Sequence, residues 1–237
     1  MKFPDTMFQF KQFTIRQDRT AMKVGTDGVL LGAWANVQRA QSILDIGTGT
    51  GLIALMAAQR NTHARIEAIE IEPNAFQQAK ENSAASPWAN RINITNVALQ
   101  NYYPPITFDC IICNPPFFTQ STSSPDQCRN LARHNDTLPY NELILHVCRL
   151  LQPDGQFHVI LPETDAEKFI AQALFSGLYP LHITKIYPTP NKAAKRILIQ
   201  FAPQYHQCTE DYLTLEVTHH QYTKEYMTLT KDFYLNF

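Results

Sequence analysis

Two hydrophobic periods alternate along most of the chain. Short apolar runs at Ser42–Ile46, 65–71, 91–97, Phe108–Cys113, 156–161, 181–187 and 196–201 have the length and composition of strands. Between them, Leu52–Arg60, 73–85, 140–151 and 166–175 carry apolar residues at helical spacing, and Pro73 suits a first helical turn. Strand and helix take turns from Ser42 onward, which predicts a parallel sheet covered on both faces. Upstream, 8–16 reads as a strand or hairpin and 26–35 as a helix. The Pro-rich stretch 187–191 reads as a surface loop, and Pro153-Asp154-Gly155 as the break between a helix and a strand. The aromatic-rich tail 223–237 is expected to pack back on the domain. With no internal repeat and no low-complexity linker, 1–237 reads as a single α/β domain, with 1–40 as an N-terminal extension.

Composition narrows the class. Hydrophobic residues make up 44% and charged residues 17% of the 237 positions, which fits an ordered globular protein. The net charge of −1 means that any attraction for nucleic acid must come from a local basic patch. Met1-Lys2-Phe3-Pro4-Asp5 carries no apolar signal core, and no run is long enough to span a bilayer, so no membrane role is expected. Five cysteines, an odd number, point to reduced thiols and a cytoplasmic location. Cys110-x-x-Cys113 has no second pair at ligand spacing and sits in a strand-like run, so it reads as core packing, and no metal is expected.

Strand 42–46 runs straight into Asp45-Ile46-Gly47-Thr48-Gly49-Thr50-Gly51, followed by a helix. Glycines let the backbone turn sharply and approach a ligand, and the helix start presents free N–H groups. A dinucleotide turn needs a third glycine where this chain has Leu52, and no Gly-Lys-Ser/Thr follows for a phosphate loop. The next strand ends Ile69-Glu70-Ile71-Glu72-Pro73. Glu70, 23 residues after Gly47, is placed to take both hydroxyls of a ribose; Glu72 shares its face and competes by reach alone.

Asn114-Pro115-Pro116-Phe117 follows the fourth strand of this series, at the sheet edge where open α/β proteins bind ligands. Two prolines fix the backbone and remove two donors. A rigid segment remains that offers acceptors, the Asn114 side-chain oxygen and the Pro115 carbonyl, to an NH2 group. Holding both N–H hydrogens turns the nitrogen lone pair outward for alkylation. Phe117 supplies a flat face for a base.

The glycine turn plus Glu70 resembles the S-adenosylmethionine-binding motifs of the Rossmann-like methyltransferases. That likeness implies a mostly parallel seven-stranded sheet with helices on both faces and an antiparallel C-terminal edge. It implies S-adenosyl-L-methionine as cofactor, held by Asp45, Gly47, Thr48, Gly49, Gly51 and Glu70, with Ala98 and Leu99 near its adenine. Asn-Pro-Pro-Phe resembles the amino-methyltransferases acting on adenine N6, cytosine N4 or protein glutamine, which makes Asn114, Pro115, Pro116 and Phe117 the catalytic segment. The stretches 10–14, 22–34 and 229–235 look like the bacterial tRNA(Val) adenine-N6 methyltransferases, which modify the anticodon loop. Nearly the whole chain takes part in this likeness. It implies a tRNA partner of the tRNA(Val) kind, a monomeric enzyme, and an N-terminal extension on the cofactor site with Thr26 and Asp27 beside the cofactor. Read from the residues alone, Asp27 could instead cap the helix that follows.

Release-factor glutamine methylation is the alternative, but those enzymes usually have a longer helical N-terminal domain. A DNA adenine enzyme usually carries a target-recognition domain, and a binding module has no use for the acceptor pair. Cations gather at Lys11, Arg16, Arg19 and Lys23, at Lys185, Lys192, Lys195 and Arg196, and at Arg129 and Arg133 with His134. Each cluster reads as solvated surface or as phosphate contacts. Lys23, Arg133, Lys192, Lys195 and Arg196 are the candidate tRNA contacts. A base at His134 is not required, since the methylated nitrogen can lose its proton to water.

Overall fold

The computed structural model describes residues 6–20, 22–116 and 138–237. Phe117, Arg129, Arg133 and His134 lie outside these described residues.

A short hairpin, β1 (Met7–Gln9) and β2 (Thr14–Arg16), precedes helix α1 (Thr26–Trp34). The alternating section follows as β3 (Ser42–Ile46), α2 (Leu52–Arg60), β4 (Arg65–Glu70), α3 (Pro73–Ala84), β5 (Ile92–Asn96) and β6 (Phe108–Cys113). Beyond residue 138 come α4 (Tyr140–Leu150), β7 (Leu151–Pro162), α5 (Glu163–Phe175), β8 (Tyr179–Tyr187), β9 (Arg196–Ala202) and β10 (Thr209–Thr214). A small hairpin of β11 (Glu216–Thr218) and β12 (Gln221–Tyr222) leads to α6 (Lys224–Thr230).

Among the described residues the main sheet has eight strands in the order β10-β8-β9-β7-β6-β3-β4-β5, one more than the seven expected. All neighbours pair in parallel except β9, which runs antiparallel between β7 and β8. The additional strand, β10, pairs in parallel with β8 and has one buried residue, Leu213. Chain order reverses between β3 and β6, so the carboxyl ends of these strands flank a crevice.

Side chains alternate across the strands and build two cores. Ile43, Cys110, Ile112, Ile160 and Leu198 face α1 and α2 on one side, while Leu44, Ile111, Cys113, Val159 and Ile199 face α4 and α5 on the other. Cys110 and Cys113 thus serve as packing residues, and burial pushes both thiols above their usual range. The strand β7 runs through Pro153-Asp154-Gly155 rather than starting after it. The register steps from Phe108↔Leu151 to Cys110↔Gln156, so the turn residues become a bulge in the strand. The tail folds back: the Lys11 N–H donates to the Phe233 carbonyl, and Lys11 Nζ donates to the carbonyls of Lys231 and Phe237. No helix among the described residues is long and apolar enough to cross a membrane.

Candidate active site

The glycine turn joins β3 to α2 with Gly47, Gly49 and Gly51 at φ of 67°, 58° and 84°, the left-handed region that glycine tolerates. A Cβ added at Gly47 or Gly49 would meet no atom within 4 Å, so this backbone edge faces open space. Asp45 holds the turn from beneath. Its Oδ2 accepts from Thr48 Oγ1 at 2.6 Å and from the Ala54 N–H at 3.1 Å. The residue is 1% exposed, and its Oδ1 has no partner among the described residues.

Burial pushes the Asp45 carboxyl up to about 7, against the pull of the Thr48 and Ala54 hydrogen bonds and with a small upward push from Glu70. A carboxyl raised in the folded state binds its proton there while the unfolded chain has released it. Its contribution to stability is therefore present at low pH and is lost as pH rises from about 4 to about 7. Denaturant titrations of the ligand-free protein across this window should show wild type losing stability relative to Asp45→Asn, with a slope approaching 1.4 kcal/mol per pH unit. Parallel curves for the two proteins would remove Asp45 as a titrating group.

Glu70 ends β4 and grips the turn from the side. Its Oε2 accepts from the Gly49 N–H at 2.8 Å and its Oε1 from the Glu72 N–H at 2.9 Å. Glu72 lies just past the strand and caps α3, accepting from the Asn74 and Ala75 N–H groups at 3.0 and 2.6 Å. Capping thus occupies Glu72, while Glu70 stands in the turn's own wall.

A cavity of about 450 Å³ opens between the turn, the ends of β4 and β6, and a 3₁₀ turn at Leu99–Asn101. This volume falls within the usual range for small-molecule sites. Of the residues expected in a cofactor site, Gly47, Gly49, Glu70, Ala98 and Leu99 line it, together with Asn114, Pro115 and Pro116. Thr48 and Gly51 lie behind the turn, where Thr48 bonds Asp45 and Gly51 packs against Ala79. Arg19, Thr20, Met22, Ile71 and Gln100 also line the cavity, and none of them is among the expected cofactor contacts. The first three arrive on the segment that Asn82 and Gln78 of α3 tie down by accepting from the Arg16 and Arg19 N–H groups.

Asn114 follows β6 directly and lines the cavity. Its Oδ1 is buried with no hydrogen-bond partner among the described residues. Its Nδ2 lies 3.9 Å from where a Cβ at Gly28 of α1 would stand. An unpaired buried acceptor costs free energy unless a ligand supplies the donor. Pro115 beside it is buried and Pro116 exposed.

Thr26 and Asp27 open α1 outside the cavity lining. The helix is capped by Gly25 without a side-chain bond, and Asp27 Oδ2 instead accepts from Arg196 Nε at 2.8 Å. Arg196, read as a tRNA contact, thereby joins β9 to α1. Lys23, Lys192 and Lys195 are exposed. Other cations have structural partners: Arg19 pairs with Glu81 at 2.8 Å, Lys185 with Glu210 at 3.6 Å, and Lys11 holds the tail.

The arrangement combines an open backbone turn, a carboxylate, apolar walls and an unpaired acceptor. It can take a ligand with vicinal hydroxyls at Glu70 and a flat apolar ring at Leu99, and can hold an NH2 group at Asn114.

The chain matches the family model described as "Methyltransferase small domain" over residues 23–185. A protein of Phocaeicola vulgatus named "tRNA1(Val) (adenine(37)-N6)-methyltransferase" is 49% identical, over 98% of this chain and 99% of its own. Relatives of the same name from Bacteroides thetaiotaomicron and Trichodesmium erythraeum are 48% and 44% identical, over 97% of this chain in each case and 97% and 98% of theirs. Among solved structures, a predicted O-methyltransferase from Agrobacterium tumefaciens superposes with a TM-score of 0.65 at 19% identity, over 87% of this chain and 96% of its own. A putative RNA methyltransferase from Pyrococcus horikoshii gives a TM-score of 0.53 at 15% identity, over 73% and 80%. At these identities the two structures speak for the fold alone. Full-length likeness at nearly half identity decides the rest: the chain belongs to the methyltransferase small domain family and, within it, to the tRNA1(Val) (adenine(37)-N6)-methyltransferases.

Proposed function

We propose that this protein transfers a methyl group from S-adenosyl-L-methionine to N6 of an adenine in the anticodon loop of tRNA, with position 37 of tRNA(Val) as the target. The observation that carries the chemistry is the buried Oδ1 of Asn114, unpartnered among the described residues, beside a cavity already shaped by a glycine turn. The relatives' names carry the substrate.

The residues fit the cofactor. Gly47 and Gly49 leave room for a ligand against their backbone, and Glu70 stands in the same wall at 8% exposure. Glu70 would hold the ribose hydroxyls, Gly47 and Gly49 the methionyl part, and Ala98 and Leu99 the adenine. Asp45, Thr48 and Gly51 act through the turn, by fixing its shape. When bound, S-adenosyl-L-methionine supplies a methyl group on a positively charged sulfur.

Asn114 Oδ1 and the Pro115 carbonyl accept the two hydrogens of the adenine amino group. This fixes the nitrogen and draws its lone pair out of conjugation with the ring. Pro115 and Pro116 keep the acceptors rigid, so little reorganisation accompanies the reaction. In this reading Phe117 stacks on the base. The proton left on the methylated nitrogen passes to water. A loop adenine is already partly unstacked, so turning it into the site costs little. Lys23, Arg133, Lys192, Lys195 and Arg196 contact tRNA phosphates, with Arg196 also bound to Asp27. Thr26 and Asp27 steady the N-terminal segment beside the cofactor. The enzyme acts as a monomer in the cytoplasm, where tRNA is matured, and needs no metal for this chemistry.

Incubation with methyl-labelled cofactor and, separately, unmodified tRNA, adenine-containing DNA and a translation release factor is the test. Label is expected in tRNA, as N6-methyladenosine confined to the anticodon loop. Label in the release factor alone would overturn the RNA reading. Label in DNA alone would replace the substrate and keep the chemistry.

A further inference from the structure

The carboxyl edge of the sheet continues past the cavity. Beyond β6 the strands run β7, β9, β8 and β10, and β7, β8 and β10 end on the same edge as β6. Backbone hydrogen bonds join these ends into a ledge. The Glu163 N–H donates to the Lys195 carbonyl at 3.2 Å, and the Lys195 N–H to the Ile186 carbonyl at 2.9 Å. The Leu215 N–H donates to the Tyr187 carbonyl at 2.9 Å, and the Glu216 N–H to the Pro188 carbonyl at 3.1 Å. The ledge therefore leads from the end of β7, beside the strand that carries Asn114, to the end of β10. The loop with exposed Lys192 and Lys195 belongs to it.

The strand β10 exceeds the seven expected, and its one buried residue, Leu213, faces the core on the α1 side. Tyr212 therefore points to the opposite face, where it is 75% exposed. In register it lies beside Lys185, and it shares that face with Tyr187. The Tyr187 ring, itself only partly exposed, meets Tyr212 edge to face, with centroids 6.3 Å apart and planes at 88°. Tyr212 is thus a braced ring with most of its surface open. Lys185 pairs with Glu210 at 3.6 Å, which cancels the nearest positive charge. A partner at Tyr212 is held by its flat face rather than by its charge. Four strand spacings separate β6 from β10, about 19 Å, which a few nucleotides of a single strand cover.

We propose that Tyr212 is a stacking platform for an unpaired base of the anticodon loop, a few nucleotides from the target adenine, and that Tyr187 is the positioning residue that braces its ring. This rests on the reading of the protein as a tRNA methyltransferase. Every base has a π face, so the contact holds the loop without reading its sequence. Lys192 and Lys195 meet the phosphates between the two bases. The span from platform to Asn114 then sets how many nucleotides separate the anchored base from the one that is methylated, so position in the loop is selected by distance.

Tyr205 supplies an internal control. It is 77% exposed and meets Tyr179 edge to face at 5.8 Å and 86°. Tyr179 starts β8, however, so this pair lies at the other edge of the sheet, about 26 Å from Tyr187 along the strand. Equilibrium binding of an unmodified tRNA(Val) transcript, with S-adenosylhomocysteine present, makes the comparison. Tyr212→Ala is expected to bind about tenfold more weakly with an unchanged salt slope, because no phosphate contact is lost. Tyr212→Phe should keep wild-type affinity, Tyr187→Ala should fall between, and Tyr205→Ala should match wild type. Transcripts with one abasic site at successive loop positions complete the cycle. At one position the missing base should cost wild type about tenfold and Tyr212→Ala nothing. All transcripts are measured on one preparation, so a loss of folding cannot imitate a changed ratio. Wild-type affinity in Tyr212→Ala, or the same abasic losses in both proteins, overturns the platform. A wild type that self-associates through Tyr212 in sedimentation would give the face to a second copy. If wild type neither binds nor methylates tRNA, the tRNA reading falls first and the platform with it.

Discussion

Asn114→Ala is expected to slow methyl transfer to tRNA by about 10²- to 10³-fold, while affinity for S-adenosyl-L-methionine stays within about threefold of wild type. The size follows from what one preorganised polar contact at a reacting centre contributes. Among the described residues Asn114 Oδ1 is buried without a partner, so its desolvation is already met before substrate arrives. The amino group that reaches it gains a strong contact, and the protein relieves an unsatisfied atom. Removing the side chain deletes one of two acceptors and lets the amino group lie flat, with its lone pair still conjugated to the ring.

The split between turnover and cofactor binding separates this role from a structural one. Asn114 stands between the cavity and Gly28, so a purely structural side chain would on removal loosen α1 and the cavity together. Affinity would then fall along with rate. Asn114→Asp keeps an acceptor in place and should retain more activity than the alanine variant. Single-turnover rates with saturating tRNA, beside calorimetric cofactor affinity, make the comparison. Full turnover in Asn114→Ala would sink the acceptor mechanism, and lost cofactor affinity would move Asn114 into the cofactor site.

The alternating core was legible because strands buried on both faces read as continuous apolar runs such as Phe108–Cys113. The strand β10 was not, because five of its six residues, Thr209 to Tyr212 and Thr214, keep some exposure and are polar or aromatic at a sheet edge. Pro153-Asp154-Gly155 carries strong turn chemistry, yet pairing with β6 absorbs it as a bulge, so tertiary register overrode a local signal. In the site, the turn and Glu70 were visible from spacing within one βαβ unit. Arg196 with Asp27 was not, since partners 169 residues apart leave no local signature. The same reason explains the cations. Lys11 and Arg19 look like free charges in sequence, and only the fold brings them the tail carbonyls and Glu81.

Glu70→Ala is expected to weaken S-adenosyl-L-methionine binding by about 100-fold or more. Hydrogen bonds to a charged group contribute about 1.5–3 kcal/mol each, and a ribose offers two hydroxyls. The substitution also frees the Gly49 N–H, which now donates to Glu70 at 2.8 Å, so the turn loses its lateral anchor. Two measurements separate these effects. If the ribose contact dominates, wild type should prefer S-adenosylhomocysteine strongly over its 2′,3′-dideoxy analogue, and Glu70→Ala should bind both alike. If the turn alone matters, the variant should keep the wild-type preference while binding both probes more weakly. Glu72 supplies the contrast. Its carboxylate is committed to the N-terminus of α3, so Glu72→Ala should lower stability by about 0.5–2 kcal/mol and change cofactor affinity little. Glu70 and Glu72 are two residues apart and share a strand face in sequence, but the end of β4 falls between them and gives one to the ligand and the other to the helix. Unchanged affinity in Glu70→Ala, with a large loss in Glu72→Ala, would reverse that division.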